Sequence, residues 1–138
     1  MIKKRDTIRL LMPYPNNASV LANIKHMYIC IEENRGHYKF VKCQTLRPTM
    51  LINSPITHYV DEIPDLMRNP FFNATRIDCD KEFISDSVDY KDGLKTTNRP
   101  NVSEEVFALI EQNLTEPMRI QIDEAELIRL NAPNVTRR

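Results

Sequence analysis

The stretch Thr75-Arg76-Ile77-Asp78-Cys79-Asp80-Lys81 alternates in residue type with a period of two, which predicts a β-strand. Arg76, Asp78 and Asp80 then share one face, and residues two apart on that face lie about 7 Å from each other. Arg76 and Asp78 can therefore address one small group, such as a phosphate and the hydroxyl that attacks it. The alternative is that these charges lie on a solvated sheet face or pair with a neighbouring strand, as is ordinary in antiparallel sheets.

Apolar alternation elsewhere in the chain predicts further strands. They cover residues 6–12, 26–32, 38–46, 57–60 and 118–122. Residues 33–36 form a turn that ends in Gly36, so the second and third strands are predicted to pair as a hairpin. Residues 13–24, 62–73 and 91–100 are predicted to be mainly loops, because proline and polar residues interrupt the pattern.

The helical signals lie at the end of the chain. Either Asn101 or Ser103 can cap a helix over residues 103–114, and Pro117 stops it. A capping box at Asp123 and Glu126 predicts a last short helix, and residues 131–138 are predicted to be a tail. Strands followed by helices indicate a mainly β fold with a C-terminal helix, built as a strongly bent sheet or small barrel. The length of 138 residues suits a single domain over 1–138.

Composition excludes several classes of function. With 19 basic and 19 acidic residues the formal net charge is zero, so any nucleic-acid site is local rather than a whole basic face. Two glycines leave no glycine-rich phosphate loop. No spacing typical of metal ligands is present, and we expect no metal or other cofactor. The three cysteines, Cys30, Cys43 and Cys79, lie in apolar segments and are predicted to be reduced core thiols.

The sequence also predicts where the protein acts. No apolar run approaches the roughly 20 residues that span a bilayer, and the residues after Met1 lack the apolar core of a signal peptide. We therefore expect a cytoplasmic protein with no membrane partner.

Lys25 and His26 stand where a long loop enters the second predicted strand, and such junctions often carry binding residues. One interpretation makes them a pair that contacts phosphate. The other makes them an ordinary polar start of a strand.

The order of these features resembles the toxin endoribonucleases of toxin–antitoxin pairs, the PemK/Kid/MazF type, which are SH3-like barrels with a C-terminal helix. The similar segments are the strands over 5–13, 25–31, 41–45, 57–60 and 75–81 and the helix over 103–114. The resemblance thus covers residues 5–114, and residues 115–138 are a C-terminal extension. Residues 62–73 and 91–101 have no counterpart that we can place in the family.

The resemblance implies a metal-independent endoribonuclease that cleaves single-stranded mRNA. Asp78 would be the base for the 2′-hydroxyl, and Arg76 would stabilise the phosphorane or act as acid. His26 could share the acid role, because its ordinary pKa of about 6.5 suits proton transfer at neutral pH. Lys25 and Thr45 would bind RNA. The resemblance further implies a homodimer and a cognate antitoxin that blocks the RNA groove.

Two departures from the family pattern bear on activity. Arg5 stands where the family usually has glycine, and His26 stands where an arginine important for cleavage is common. The second departure favours an alternative function: a non-catalytic SH3-like binding module, such as one encoded on a mobile element, that holds a peptide or nucleic acid.

Overall fold

Eight strands and four helices build the protein in a computed structural model that describes residues 1–138. The strands are β1 (Thr7–Leu10), β2 (His26–Asn34), β3 (His37–Thr45), β4 (Tyr59–Glu62), β5 (Thr75–Ser85), β6 (Val88–Tyr90), β7 (Met118–Gln121) and β8 (Val135–Arg137). The helices are α1 (Val20–Asn23), α2 (Pro48–Ile52), α3 (Glu104–Asn113) and α4 (Glu124–Asn131), with a 3₁₀ turn at Asp92–Leu94. The fold is mainly β, as the sequence predicts.

The main sheet is mixed and open. Its strands follow the order β1-β2-β3-β5-β4 with antiparallel pairing, and β7 adds in parallel to the second half of β5. β1 therefore lies at one edge, and β4 and β7 share the other. The strands do not close into a barrel, so the SH3-like form of the prediction is unconfirmed.

A bulge divides β5 into two halves. Lys42 pairs with Asp78 and Phe40 pairs with Phe83, so two steps along β3 correspond to five steps along β5. In a regular strand, Ile77 and Phe83 would point to the same face, because they are an even number of residues apart. The extra residues change this relation, and the two side chains pack on opposite faces of the sheet.

The sheet carries an apolar core on each face. Along β2 the side chains alternate: Tyr28 and Cys30 pack in what we call the front core, whereas Ile29 and Ile31 pack in the back core. Helix α4 covers the front core with Leu127, and α3 covers the back core. The residues that α3 contributes are Val106, Phe107 and Ile110.

The helix predicted over 103–114 is confirmed. Ser103 caps α3, its hydroxyl accepting from the backbone N–H of Val106 at 3.2 Å. Two short helices were missed: α1 lies in a predicted loop, where Ser19 caps it, and α2 replaces a short apolar segment. Tertiary packing decides such short pieces, because helices of four or five residues have little stability of their own.

The end of the chain is part of the fold. Residues 131–138 were predicted to be a tail, but β8 pairs with β6 there, and Val135 is buried in the front core. The prediction of buried cysteines is confirmed, since Cys30, Cys43 and Cys79 are all buried. None of the helices has the length and apolar character that a membrane crossing requires.

We expect Leu127→Ala to lower the free energy of unfolding by about 2–5 kcal/mol, because it leaves a cavity in the front core. Leu127 is 0% exposed. Leu51→Ala makes the same chemical change at a side chain that is 67% exposed, and it should have little effect. Urea denaturation followed by circular dichroism measures both. Equal stability of the two variants would mean that the last 24 residues contribute nothing to the cooperative fold.

Candidate functional site

Two cavities lie at the end of the sheet where β2 begins and β3 ends. The larger, about 450 Å³, opens on the back face and is called the back cavity. The smaller, about 360 Å³, opens on the front face and is called the front cavity. The back cavity is lined by Arg9, Lys25, His26, Met27, Cys43, Gln44, Thr45, Pro70, Phe72, Thr75, Gly93, Leu94, Lys95, Thr96, Thr97, Asn98 and Asn134. The front cavity is lined by Val20, Leu21, His26, Lys42, Gln44, Thr45, Arg47 and Met50.

The sheet and two loops fix the shape of the back cavity. Arg9 pairs with Met27 across β1 and β2, and Met27 pairs with Cys43 of β3, so these residues form one row on the back face. The loops around Pro70 and Asn98 form the walls. They are joined by a hydrogen bond of 2.8 Å, in which the Asn98 side-chain amide donates to the carbonyl of Pro70.

The lining of the back cavity is basic and contains no Asp or Glu. Arg9 and Lys25 are exposed and form no salt bridge. Lys95 differs, because its Nζ lies 3.4 Å from Asp6 Oδ2 and 3.5 Å from Asp92 Oδ1. Two positive charges in this cavity therefore have no anionic partner, which makes it a place where an anion binds favourably.

An exposed aromatic side chain stands in the same lining. Phe72 is 76% exposed, whereas the neighbouring Phe71 is 3% exposed and packs in the back core. A nucleic-acid base can stack on the exposed ring of Phe72, which lines the same cavity as Arg9 and Lys25. Neither Phe72 nor Arg9 was predicted as a site residue. The sequence holds no signal that separates the exposed Phe72 from the buried Phe71.

His26 lies at the boundary of the two cavities. Its Nδ1 donates to the backbone carbonyl of Ile24 at 2.9 Å, so in the neutral ring Nε2 is the open acceptor. Burial lowers the pKa of His26, the hydrogen bond to Ile24 partly offsets this, and the charge of Lys42 lowers the pKa further. These surroundings therefore favour the neutral form of the imidazole.

Arg76 is buried and paired, whereas its proposed role requires a side chain that a ligand can reach. It is 1% exposed, so the expectation that it lies free on the sheet face is wrong. Its Nε and Nη2 donate to the two carboxylate oxygens of Asp61, both at 2.7 Å, and its Nη1 donates to the carbonyl of Met50 at 3.1 Å. The ring of Tyr59 lies 3.6 Å from its Cζ. Cross-strand pairing, the alternative considered from the sequence, occupies this guanidinium.

Asp78 is also enclosed. It is 4% exposed, and its Oδ1 accepts from the backbone N–H of Asp80 at 2.8 Å. Its pairing partner across the sheet is Lys42, and Lys81 lies 4.0 Å from Oδ2. Burial raises the pKa of Asp78 and lowers the pKa of Lys42, so both groups move toward their neutral forms.

The structure thus divides the predicted site residues into two groups. Lys25, His26 and Thr45 meet in the lining of the back cavity. Arg76 and Asp78 line neither cavity, although β5 places them on the same face of the sheet as His26. The interpretation in which Arg76 and Asp78 together address one small group does not match this geometry, because both side chains are buried.

The other two histidines have carboxylate partners. His58 Nδ1 lies 3.1 Å from Asp80 Oδ1. His37 lies between Asp86 at 2.6 Å and Glu32 at 3.1 Å. No group of three or more His, Cys, Asp or Glu side chains is placed to hold a metal ion.

Comparison of the chain with models of protein families, with curated proteins and with solved structures gives no match. The resemblance to the PemK/Kid/MazF toxins therefore stays a prediction, and we infer the function from the geometry of the site.

We expect Arg76→Ala to lower the free energy of unfolding by about 3 kcal/mol. Breaking a buried ion pair costs about 3–5 kcal/mol, and the lower end applies because Asp61 keeps part of its surface in water. Arg129→Ala is the matched control, since it removes an exposed arginine that lies 2.7 Å from Glu126. The control should unfold at nearly the same urea concentration as the wild type. A normal midpoint for Arg76→Ala would show that the pair with Asp61 has no structural role.

Proposed function

We propose that this protein binds single-stranded RNA in the back cavity. One observation carries the proposal: the lining has unpaired positive charges at Arg9 and Lys25 and no carboxylate. The chain as a whole has a formal net charge of zero, so this concentration of positive charge is local. Phosphate contacts of this kind supply most of the affinity of non-specific nucleic-acid binding.

The remaining lining fits a single strand better than a duplex. Phe72 offers a face for one base, and base–aromatic stacking contributes about 1–3 kcal/mol. Gln44, Thr45 and Asn98 supply uncharged donors and acceptors for base edges and for a 2′-hydroxyl, the group by which proteins distinguish RNA from DNA. A duplex would keep its bases stacked on one another and out of reach of Phe72.

The backbone at Arg5 supports the toxin resemblance and, with it, an RNA ligand. Arg5 has a φ of 77°, in the left-handed region that favours glycine, and the family usually has glycine at this point. Its Nε donates to the carbonyl of Val102 at 3.0 Å, which helps to hold the unusual conformation. We propose on this basis that the fold is an open relative of the SH3-like barrel.

As a second candidate we propose cleavage of the bound strand, which would make the protein a metal-independent endoribonuclease and a toxin. The neutral His26 favours it, since its open Nε2 could take the proton of a 2′-hydroxyl as that oxygen attacks phosphorus. Lys25 and Arg9 would stabilise the charge of the phosphorane. The bond from phosphorus to the 5′-oxygen then breaks, which leaves a 2′,3′-cyclic phosphate, and the 5′-oxygen takes a proton from water. In this mechanism His26, rather than Asp78, is the base, and Arg76 does not contact the RNA. A homodimer and an antitoxin partner belong to this candidate.

We expect the double variant Arg9→Ala/Lys25→Ala to bind a fluorescein-labelled single-stranded RNA more weakly than the wild type. Each lost phosphate contact should reduce the slope of log K against log salt by about 0.7. The measurement is fluorescence anisotropy at several salt concentrations. Lys3→Ala/Lys4→Ala is the control, because it removes two exposed charges outside both cavities.

Two results would contradict RNA binding in the back cavity. One is equal weakening by the two double variants, which would mean that only net charge matters. The other is equal affinity of the wild type for the RNA and for a polyglutamate peptide of the same length, which would show a general anion site. Tighter binding of the RNA than of the same DNA sequence is expected from contacts to the 2′-hydroxyl.

If the bound strand is cleaved, the rate should rise with pH and level off before neutrality. The reason is that burial lowers the pKa of His26, which favours the free-base form of the ring at neutral pH. His26→Gln should reduce the rate about 10²–10⁴-fold at saturating RNA, and its RNA affinity is measured beside it so that weaker binding is not mistaken for slower cleavage. The test is gel analysis of a labelled RNA across pH 5–8. No cleavage by wild type under any condition would remove the enzyme candidate and leave the binding proposal intact.

A further inference from the structure

The two cavities meet around the end of the β2–β3 hairpin. His26, Gln44 and Thr45 line both of them. The pairing of Met27 with Cys43 places His26 and Gln44 side by side one residue further along the ladder. These shared side chains therefore form a short ridge, with the back cavity on one side of the sheet and the front cavity on the other.

The front cavity has the same charge character as the back cavity. Lys42 and Arg47 line it together with His26, and its lining contains no Asp or Glu. Arg47 is exposed and forms no salt bridge. Lys42 has one acidic neighbour, its pairing partner Asp78, and no salt bridge joins them. An anion in the front cavity would restore the charged form of Lys42, which burial disfavours.

The front cavity also has an apolar side. Its lining includes Val20 and Leu21 of α1 and Met50 of α2. Val20 is 62% exposed, which leaves apolar surface open at the rim. A nucleotide has the same division of character, since its phosphate is anionic and its base has apolar faces.

We propose, building on the proposed function, that the bound RNA strand passes over the ridge of His26, Gln44 and Thr45 and continues into the front cavity. The back cavity then holds one end of the bound segment, and Arg47 and Lys42 contact phosphates of the other end. The sharing of three lining residues argues for one continuous track, because a ligand that fills either cavity touches the entrance of the other.

If the RNA follows this track, the affinity of the protein for RNA should depend on the length of the RNA strand, and Arg47 should determine that dependence. Arg47 lines only the front cavity, so it should matter only for strands long enough to cross the ridge. The test is fluorescence anisotropy with labelled oligouridylates of 3 and 12 nucleotides, using wild type, Arg47→Ala and the control Arg119→Ala. Arg119 is an exposed arginine outside both cavities, with a side chain that is 74% exposed.

We expect wild type to bind the 12-mer more tightly than the 3-mer. Arg47→Ala should weaken the 12-mer about threefold or more at 100 mM salt, lower its salt slope by about 0.7 and leave the 3-mer unchanged. Arg119→Ala should bind both strands as wild type does.

Three results overturn the track while leaving RNA binding in the back cavity in place. They are equal affinity of wild type for both strands, no effect of Arg47→Ala on the 12-mer, and equal weakening of both strands by that variant. If wild type binds neither strand, the proposed function itself fails. Lys42→Gln provides a second measurement with the same expected length dependence, and its urea midpoint shows whether loss of the positive charge beside the buried Asp78 has disturbed the fold.

Discussion

The bulge in β5 is the constraint on which the rest of the structure depends. It allows one strand to supply Ile77 to the back core and Phe83 to the front core, although both occupy positions of the same parity. It also divides the outer edge of β5, so that β4 pairs with its first half and β7 with its second half. Both cores, and the helices that cover them, follow from this change of face.

The first half of β5 keeps its charges on the front face, and the fold neutralises them there. Asp61 of β4 pairs with Arg76, and Lys42 of β3 lies beside Asp78. A charge is expensive to bury unless it is paired, so these partners are what allow a polar stretch to lie in the centre of a sheet. Arg76 is occupied in this way, whereas exposed cations at the strand ends, such as Arg9 and Lys25, form no salt bridge.

More of the fold than of the candidate site could be predicted from the sequence. The alternation of β2, β3 and β5 and the caps of α3 are local signals, and the strands and helix that they predict are present. The bulge is not a local signal, because it depends on how β3 and β5 align. For the same reason the sequence did not reveal β8, whose three residues pair with β6 and whose Val135 packs in the front core.

The same limit applies to the candidate site: features set by neighbouring residues could be predicted, and features set by distant segments could not. Lys25, His26 and Thr45 could be found because strand ends can be recognised in the sequence, and the structure brings them together in one lining. Arg76 and Asp78 were expected to be accessible to a ligand. The alternation in residue type predicts which side chains share a face of the sheet, but it does not predict which other segments cover that face. The partner Asp61 and the covering helix α2 come from other parts of the chain.

The two candidate functions make opposite demands on His26. A phosphate beside the imidazole stabilises the protonated ring and raises its pKa, so RNA binding takes up a proton and strengthens as pH falls. A base for the 2′-hydroxyl must stay unprotonated while that same phosphate is bound. The fold favours the neutral ring through burial and through the charge of Lys42. A phosphate on Lys42 would cancel part of the second effect, so a strand that fills the front cavity favours holding RNA over cutting it.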